Sequence, residues 1–254
     1  MLGALAGDII GAPYERHGVR TPDFAFFAPG SRPTDDSVLT LATADALLRG
    51  EDYAAAYRRW GRRYPNAGYG GMFFRWLAQD DAGPYGSFGN GSAMRVSPVG
   101  WFYDDVDTVI AEAAASAAVT HDHPEGVKGA QATALAVFRA RTGAAPAAIA
   151  AEIEATFDYD LSQPWAAVHA AHRWDVTCQG SVPPALQAAL GASDFEDALR
   201  RAISLGGDAD TQACIAGAVA EALWGVPEPI ERGVRGRLTD DMETVLDAFR
   251  AARA

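Results

Sequence analysis

At 254 residues, with 49% of them apolar, the chain is long enough to bury a sizeable core, is not disordered, and reads most simply as one domain, residues 1–254. The 21 Lys and Arg stand against 33 Asp and Glu, for a net charge of −12, which argues against non-specific binding of nucleic acid or of an anionic membrane surface, since both need a basic face. Two cysteines, Cys178 and Cys214, lack CxxC spacing, no basic leader precedes the N-terminal apolar run that Asp8 interrupts, and no apolar stretch nears about 18 residues, so a reduced, cytoplasmic protein without a membrane span is expected.

Gly3–Glu15 reads GALAGDIIGAPYE. Gly7 and Gly11 share one face of a first helix and predict close packing there, and Pro13 breaks the helix before Glu15. Apolar residues then recur at helical spacing over Ser37–Leu48, Asp52–Arg62, Val106–Val119, Pro124–Arg141, Pro146–Phe157, Phe195–Leu205, Thr211–Trp224 and Asp240–Ala252. Gly50, Gly143, Gly225 and Pro227 mark stops. Alternating β-branched runs are almost absent, so the expected fold is all-α, a single multi-helix domain of roughly ten or more helices. Three segments break the pattern and are expected as irregular, functional loops: Glu15–Pro33, Tyr64–Asn90 and Leu161–Pro184.

Two acidic clusters open helices far apart in the chain, Thr34-Asp35-Asp36 after a proline and Asp208-Ala209-Asp210-Thr211 after Gly206-Gly207. Thr and Asp are good N-caps, and two adjacent glycines imply a tight turn. One cap needs one side chain, however, and each cluster offers three oxygen-bearing ones. The helices that follow are too apolar to be exposed, so the carboxylates sit at buried ends where uncompensated charge is costly. Folded together, the clusters offer four carboxylates and two hydroxyls, an all-oxygen set suited to Mg²⁺ or Mn²⁺ and to metal-assisted hydrolysis. Glu15 is either a solvated loop carboxylate or one that reaches this site to orient or deprotonate water.

Gly89-Asn90-Gly91-Ser92 forms either an ordinary turn or a loop whose backbone N–H groups receive phosphate. Arg95 beyond it suits an anion or a buried ion pair. In Thr120-His121-Asp122-His123-Pro124, capping and turn chemistry is favoured over metal ligation, with His121 able to contact a polar substrate group.

The segments GALAGDIIGAPYE, PTDDS, GNGSAMRVSPVG, VTHDHPEGVKGA and SLGGDADTQACIAGAVAEALWG occur in the order found in the ADP-ribosylglycohydrolase family, which the chain resembles from about residue 1 to 230. The resemblance implies an all-α globule with a cleft holding two Mg²⁺ (or Mn²⁺), and cleavage of the bond between ADP-ribose and an acceptor. By the same resemblance, Thr34, Asp35 and Asp36 form one half of the metal site and Asp208, Asp210 and Thr211 the other. Glu15, Asp36 and Asp210 are the catalytic candidates. Gly89, Asn90, Gly91 and Ser92 receive the diphosphate and ribose, and His121 lines the cleft. Phe24, Tyr69, Phe88 and Trp174 are candidates to stack on adenine. Arginine-linked ADP-ribose on protein is the first substrate implied, with serine-linked ADP-ribose, O-acetyl-ADP-ribose and a non-catalytic binding member as alternatives. Two departures from the family pattern, Ser37 where Thr is common and Ala209 where a small polar residue is common, remove no ligand.

Overall fold

A computed structural model describes residues 1–15 and 18–253, and the described residues form fifteen α-helices and no strand. In chain order these are α1 (Leu2–Gly11), α2 (Asp35–Arg49), α3 (Tyr53–Arg63), α4 (Gly71–Leu77), α5 (Gly91–Met94), α6 (Ser97–Phe102), α7 (Val106–Ala118) and α8 (Pro124–Arg141). They continue with α9 (Pro146–Phe157), α10 (Trp165–Ala171), α11 (Cys178–Leu190), α12 (Phe195–Ser204), α13 (Ala209–Trp224), α14 (Glu228–Arg235) and α15 (Asp240–Ala252). All eight helices expected from periodicity are present, within two residues at each end.

The expectation of an irregular Leu161–Pro184 is corrected in part: α10 and the first half of α11 lie within it, while 161–164 and 172–177 are irregular. Pro183 and Pro184 lie inside α11, where each forfeits one backbone hydrogen bond. Val182, Pro184, Ala185 and Leu186 are all buried, so tertiary burial outweighs the local penalty that proline carries. Tyr64–Asn90 likewise contains the short α4, held by Phe73, Trp76 and Leu77 in the core.

The core is organised on α1 and α13. Every residue of α1 is buried, and α13 is buried from Ala209 to Ala220. A Cβ on Gly3 would lie 2.1 Å from the Gly217 carbonyl oxygen, one on Gly7 1.9 Å from that of Ala213, and one on Gly11 2.6 Å from Asp210 Cα. The two helices therefore run antiparallel with backbones in direct contact, as only glycine permits. This contact sets the C-terminal end of α1 beside the N-terminal end of α13. Asp8 on α1 in turn holds the start of α2, so the positive ends of two helix dipoles converge on one group of carboxylates. Cys178 and Cys214 are buried free thiols. No helix among the described residues is long and apolar enough to cross a membrane.

Candidate metal centre and its cleft

Thr34 caps α2, its hydroxyl accepting the Asp36 N–H at 3.3 Å, so the capping role is real and leaves the carboxylates free for another. The Asp8 carboxylate accepts the Thr34 N–H at 2.9 Å, the Thr34 hydroxyl at 2.6 Å, the Ser37 N–H at 3.0 Å and the Ser37 hydroxyl. Serine at position 37 thus keeps the hydroxyl that this contact uses. Asp36 Oδ2 is 3.4 Å from the hydroxyls of both Thr34 and Thr211, which joins the two clusters, while the buried Asp36 Oδ1 has no hydrogen-bond partner among the described residues.

Asp208 stands at the N-cap of α13 without capping it; its carboxylate accepts the Asn90 side-chain amide at 2.6 Å. The preceding Gly206 and Gly207 have φ of +69° and +72°, the tight left-handed turn that their pairing implies. Carboxylate oxygens of Asp8, Asp36 and Asp210 lie within 4.8 Å of one another, as do those of Glu15, Asp208 and Asp210. Among the described residues, the ion pairs all lie elsewhere and none reaches Asp8, Asp35, Asp36, Asp208 or Asp210.

Burial pushes Asp8, Asp36, Asp208 and Asp210 above the usual carboxylate range, and neighbouring acids push Asp36 and Asp210 further. Asp35 is raised to about 7 by burial and by Asp8. Buried carboxylates of one sign, one carrying an orphan oxygen, with oxygen donors on every side, fit hard divalent cations.

The centre opens into a cleft of about 560 Å³, into which Glu15, Thr34, Asp35, Asp36, Asp208, Asp210 and Thr211 all face. Gly89, Asn90 and Gly91 form its wall, pinned by a bridge between Gly89 and Thr177 and by the Asn90 N–H to the Val176 carbonyl at 2.8 Å. Ser92 sits behind this wall, its hydroxyl donated to the Gly126 carbonyl at 2.7 Å. His121 lines the cleft, and His123 caps α8 instead, its Nδ1 accepting the Glu125 N–H at 3.1 Å. Of the four aromatic candidates, Trp174 lines the cleft and is 56% exposed. Phe88 packs against His123, Tyr69 against Phe73, and Phe24 against Phe26 and Tyr14.

Sequence reasoning noted Asp8 only as a break in an apolar run and missed its place in the cluster. The available signal was an acid in the middle of a helix whose other nine residues are apolar or glycine. Arg32, Arg75 and Tyr85 also line the cleft and carry no comparable pattern.

A sequence profile described as ADP-ribosylglycohydrolase matches residues 1–254. The chain belongs to the ADP-ribosylglycohydrolase family. Within that family it is similar to the ADP-ribosylhydrolase ARH3 of Gallus gallus, 32% identical in a gapped alignment of length 181 that covers 56% of this chain and 49% of that protein. It thus spans about half the length of the ARH3 relatives it matches. It is also similar to the ADP-ribosylarginine hydrolase Tri1 of Pseudomonas putida (strain GB-1), 28% identical in a gapped alignment of length 269 that covers 91% of this chain and 72% of Tri1. Among solved structures, a chain of an ADP-ribosylglycohydrolase-related protein complex superposes with a TM-score of 0.74 at 25% identity, over 100% of this chain and 97% of that one. The all-α architecture is therefore the family's.

Proposed function

We propose that this ADP-ribosylglycohydrolase family member hydrolyses the glycosidic bond between ADP-ribose and an acceptor, with arginine-linked ADP-ribose on protein as its first substrate and the cytoplasm as its place of action. The observation that carries the reading is the 2.6 Å bond from Asn90 to Asp208, which makes the glycine loop and the acidic centre two walls of one cleft. A diphosphate held by the loop would then present its distal ribose to the carboxylates.

Thr34, Asp35, Asp36, Asp208, Asp210 and Thr211 would hold two Mg²⁺ or Mn²⁺, with Asp8 beside them. Bound there, the ions would neutralise the cluster and lend Lewis acidity to substrate oxygens. The chain's own residues do the rest. The Asn90 N–H is donated to Val176 and the Gly89 N–H to the Ser87 hydroxyl, so the diphosphate binds at the Gly91 N–H, and His121 contacts a substrate oxygen. Glu15, Asp36 or Asp210 takes a proton as water attacks the anomeric carbon, and the acceptor leaves with the bonding pair and a proton. The surrounding carboxylates stabilise the oxocarbenium charge of the transition state.

Arginine is favoured because Tri1, named for that linkage, aligns with most of both chains. Serine-linked ADP-ribose and O-acetyl-ADP-ribose come second. Incubation with arginine-ADP-ribosylated protein, in Mg²⁺ or in EDTA, with products read by mass spectrometry, tests the proposal. Metal-dependent release of intact ADP-ribose is expected. Release of AMP would indicate a phosphohydrolase instead, and no release from any of the three substrates would leave a binding-only protein.

A further inference from the structure

Arg95 is a fully buried arginine without a carboxylate partner among the described residues. Its Nη2 donates to the Ser116 carbonyl and to the Thr120 hydroxyl, both at 2.9 Å, its guanidinium lies 4.3 Å over the Tyr57 ring, and its Nε and Nη1 have no hydrogen-bond partner among the described residues. Thr120 is fully buried too, and its hydroxyl oxygen is 2.7 Å from His121 Nδ1. On the far side of the ring, a Cβ placed on Gly91 would lie 3.1 Å from His121 Nε2, and one on Gly89 3.6 Å away, so Nε2 faces the glycine loop.

The geometry points to Arg95 and Thr120 as positioning residues that hold His121 as a neutral Nε2–H donor aimed at the loop that receives the substrate's anionic group. A guanidinium can only donate. It therefore takes a lone pair of the Thr120 oxygen and turns the hydroxyl proton away from itself. His121 Nδ1 is the acceptor closest to hand, so Nδ1 carries the lone pair and Nε2 carries the proton. Burial and the Arg95 charge both oppose a second proton on the ring. The Tyr85 hydroxyl is a second group that can accept the Thr120 proton, and the 2.7 Å approach of the Thr120 oxygen to His121 Nδ1 is what assigns that proton to the ring. The result is a hydrogen bond to a phosphate or hydroxyl oxygen that brings no pH-dependent charge into the cleft.

The substrate role rests on the proposed function; the tautomer does not, and the two are tested apart. Long-range ¹H–¹⁵N correlation spectra of Mg²⁺-loaded protein with ¹⁵N-labelled histidine read the tautomer without ligand, His121 being assigned by the signal lost in H121Q. The expected spectrum shows a bare Nδ1 and a protonated Nε2 in the wild type and in Thr120→Ser. Thr120→Val should lose that preference and weaken ADP-ribose binding about threefold to tenfold, the worth of one neutral hydrogen bond, while Thr120→Ser restores it. A protonated Nδ1 in the wild type overturns the inference, as does a Thr120→Val spectrum identical to the wild type. Should Thr120→Val fail to fold, the wild-type spectrum decides. Wild-type protein that does not bind ADP-ribose would count against the proposed function and leave the tautomer result standing.

Discussion

The carboxylate of Asp8 takes both the backbone N–H of Thr34, at 2.9 Å, and the Thr34 hydroxyl, at 2.6 Å, so one buried acid in α1 closes the first turn of α2. The same carboxylate lies within 4.8 Å of those of Asp36 and Asp210. Fold and candidate chemistry thus share a side chain. Asparagine at this position would offer one acceptor oxygen to the four donors that Asp8 satisfies. Asp8→Asn is expected to cost about 1–3 kcal/mol in stability and to weaken Mg²⁺ binding at least tenfold, by about 1.4 kcal/mol. Thermal melts combined with calorimetric titration of Mg²⁺ check both. A loss of stability with unchanged Mg²⁺ affinity would reduce Asp8 to a structural clasp.

Asp36 and Asp210 each stand in the first turn of a helix, α2 and α13, and meet in the acidic cluster. Replacing either with Asn removes a carboxylate that burial and like charge already oppose. Asp36→Asn and Asp210→Asn are expected to melt, in EDTA, no lower than the wild type. The extra stabilisation that Mg²⁺ brings should shrink, and turnover of ADP-ribosylated substrate should fall at least about 100-fold. Activity near the wild-type level in both variants would remove them from the mechanism.

The pH dependence of the metal-free protein has a definite sign. Burial raises Asp8, Asp36, Asp208 and Asp210, and burial with Asp8 raises Asp35 to about 7. Above the ordinary carboxylate pKa of about 3.9 the folded state therefore binds more protons than the unfolded state, and stability falls as pH rises through the folded values. In EDTA, Tm is expected to drop by at least about 3 °C between about pH 5 and about pH 8. Saturating Mg²⁺ should flatten or reverse the slope, because the cation favours the deprotonated carboxylates. Parallel pH series by differential scanning calorimetry decide it; identical slopes with and without Mg²⁺ would count against a cation at this cluster.

Gly7 admits no side chain, since its Cβ would fall 1.9 Å from the Ala213 carbonyl oxygen, a backbone atom that cannot rotate away. Gly7→Ala must separate α1 from α13 and with them Asp8 from Asp210. The expected cost is at least about 2 kcal/mol, with Mg²⁺ affinity reduced alongside it. Gly83, outside the helices and with open space beside its Cβ position, is the control. Gly83→Ala should change stability by less than about 0.5 kcal/mol in urea titrations.

Much of the helical fold was legible in the sequence because an amphipathic or small-residue helix declares itself within its own length. Asp240–Ala252 and Pro146–Phe157 are recovered to the residue. The helix α11 was not legible, since Pro183 and Pro184 argue locally against it and only the surrounding core overrides them. Of the candidate site, the two aspartate clusters stood out because each carries more oxygen donors than a helix cap can use. Asp8 did not: nothing along the chain says that an acid in an apolar helix faces Thr34 rather than a distant base. Ser92 shows the converse, a residue of a suggestive motif whose hydroxyl turns into the wall.

By itself the sequence determined the helical class, the glycine face of α1, the acidic helix starts and the family pattern, all carried by short-range spacing and residue type. The tertiary structure decided which of these meet. The backbone contact of Gly3, Gly7 and Gly11 with α13 sets the register that brings Asp210 to the end of α1, and Asp8 then fastens α2 to the same point. Asn90 reaches Asp208 across 118 positions of chain, and Arg95 reaches His121 through Thr120. Such meetings depend on how whole helices pack, a property of the core as a unit that no local pattern encodes.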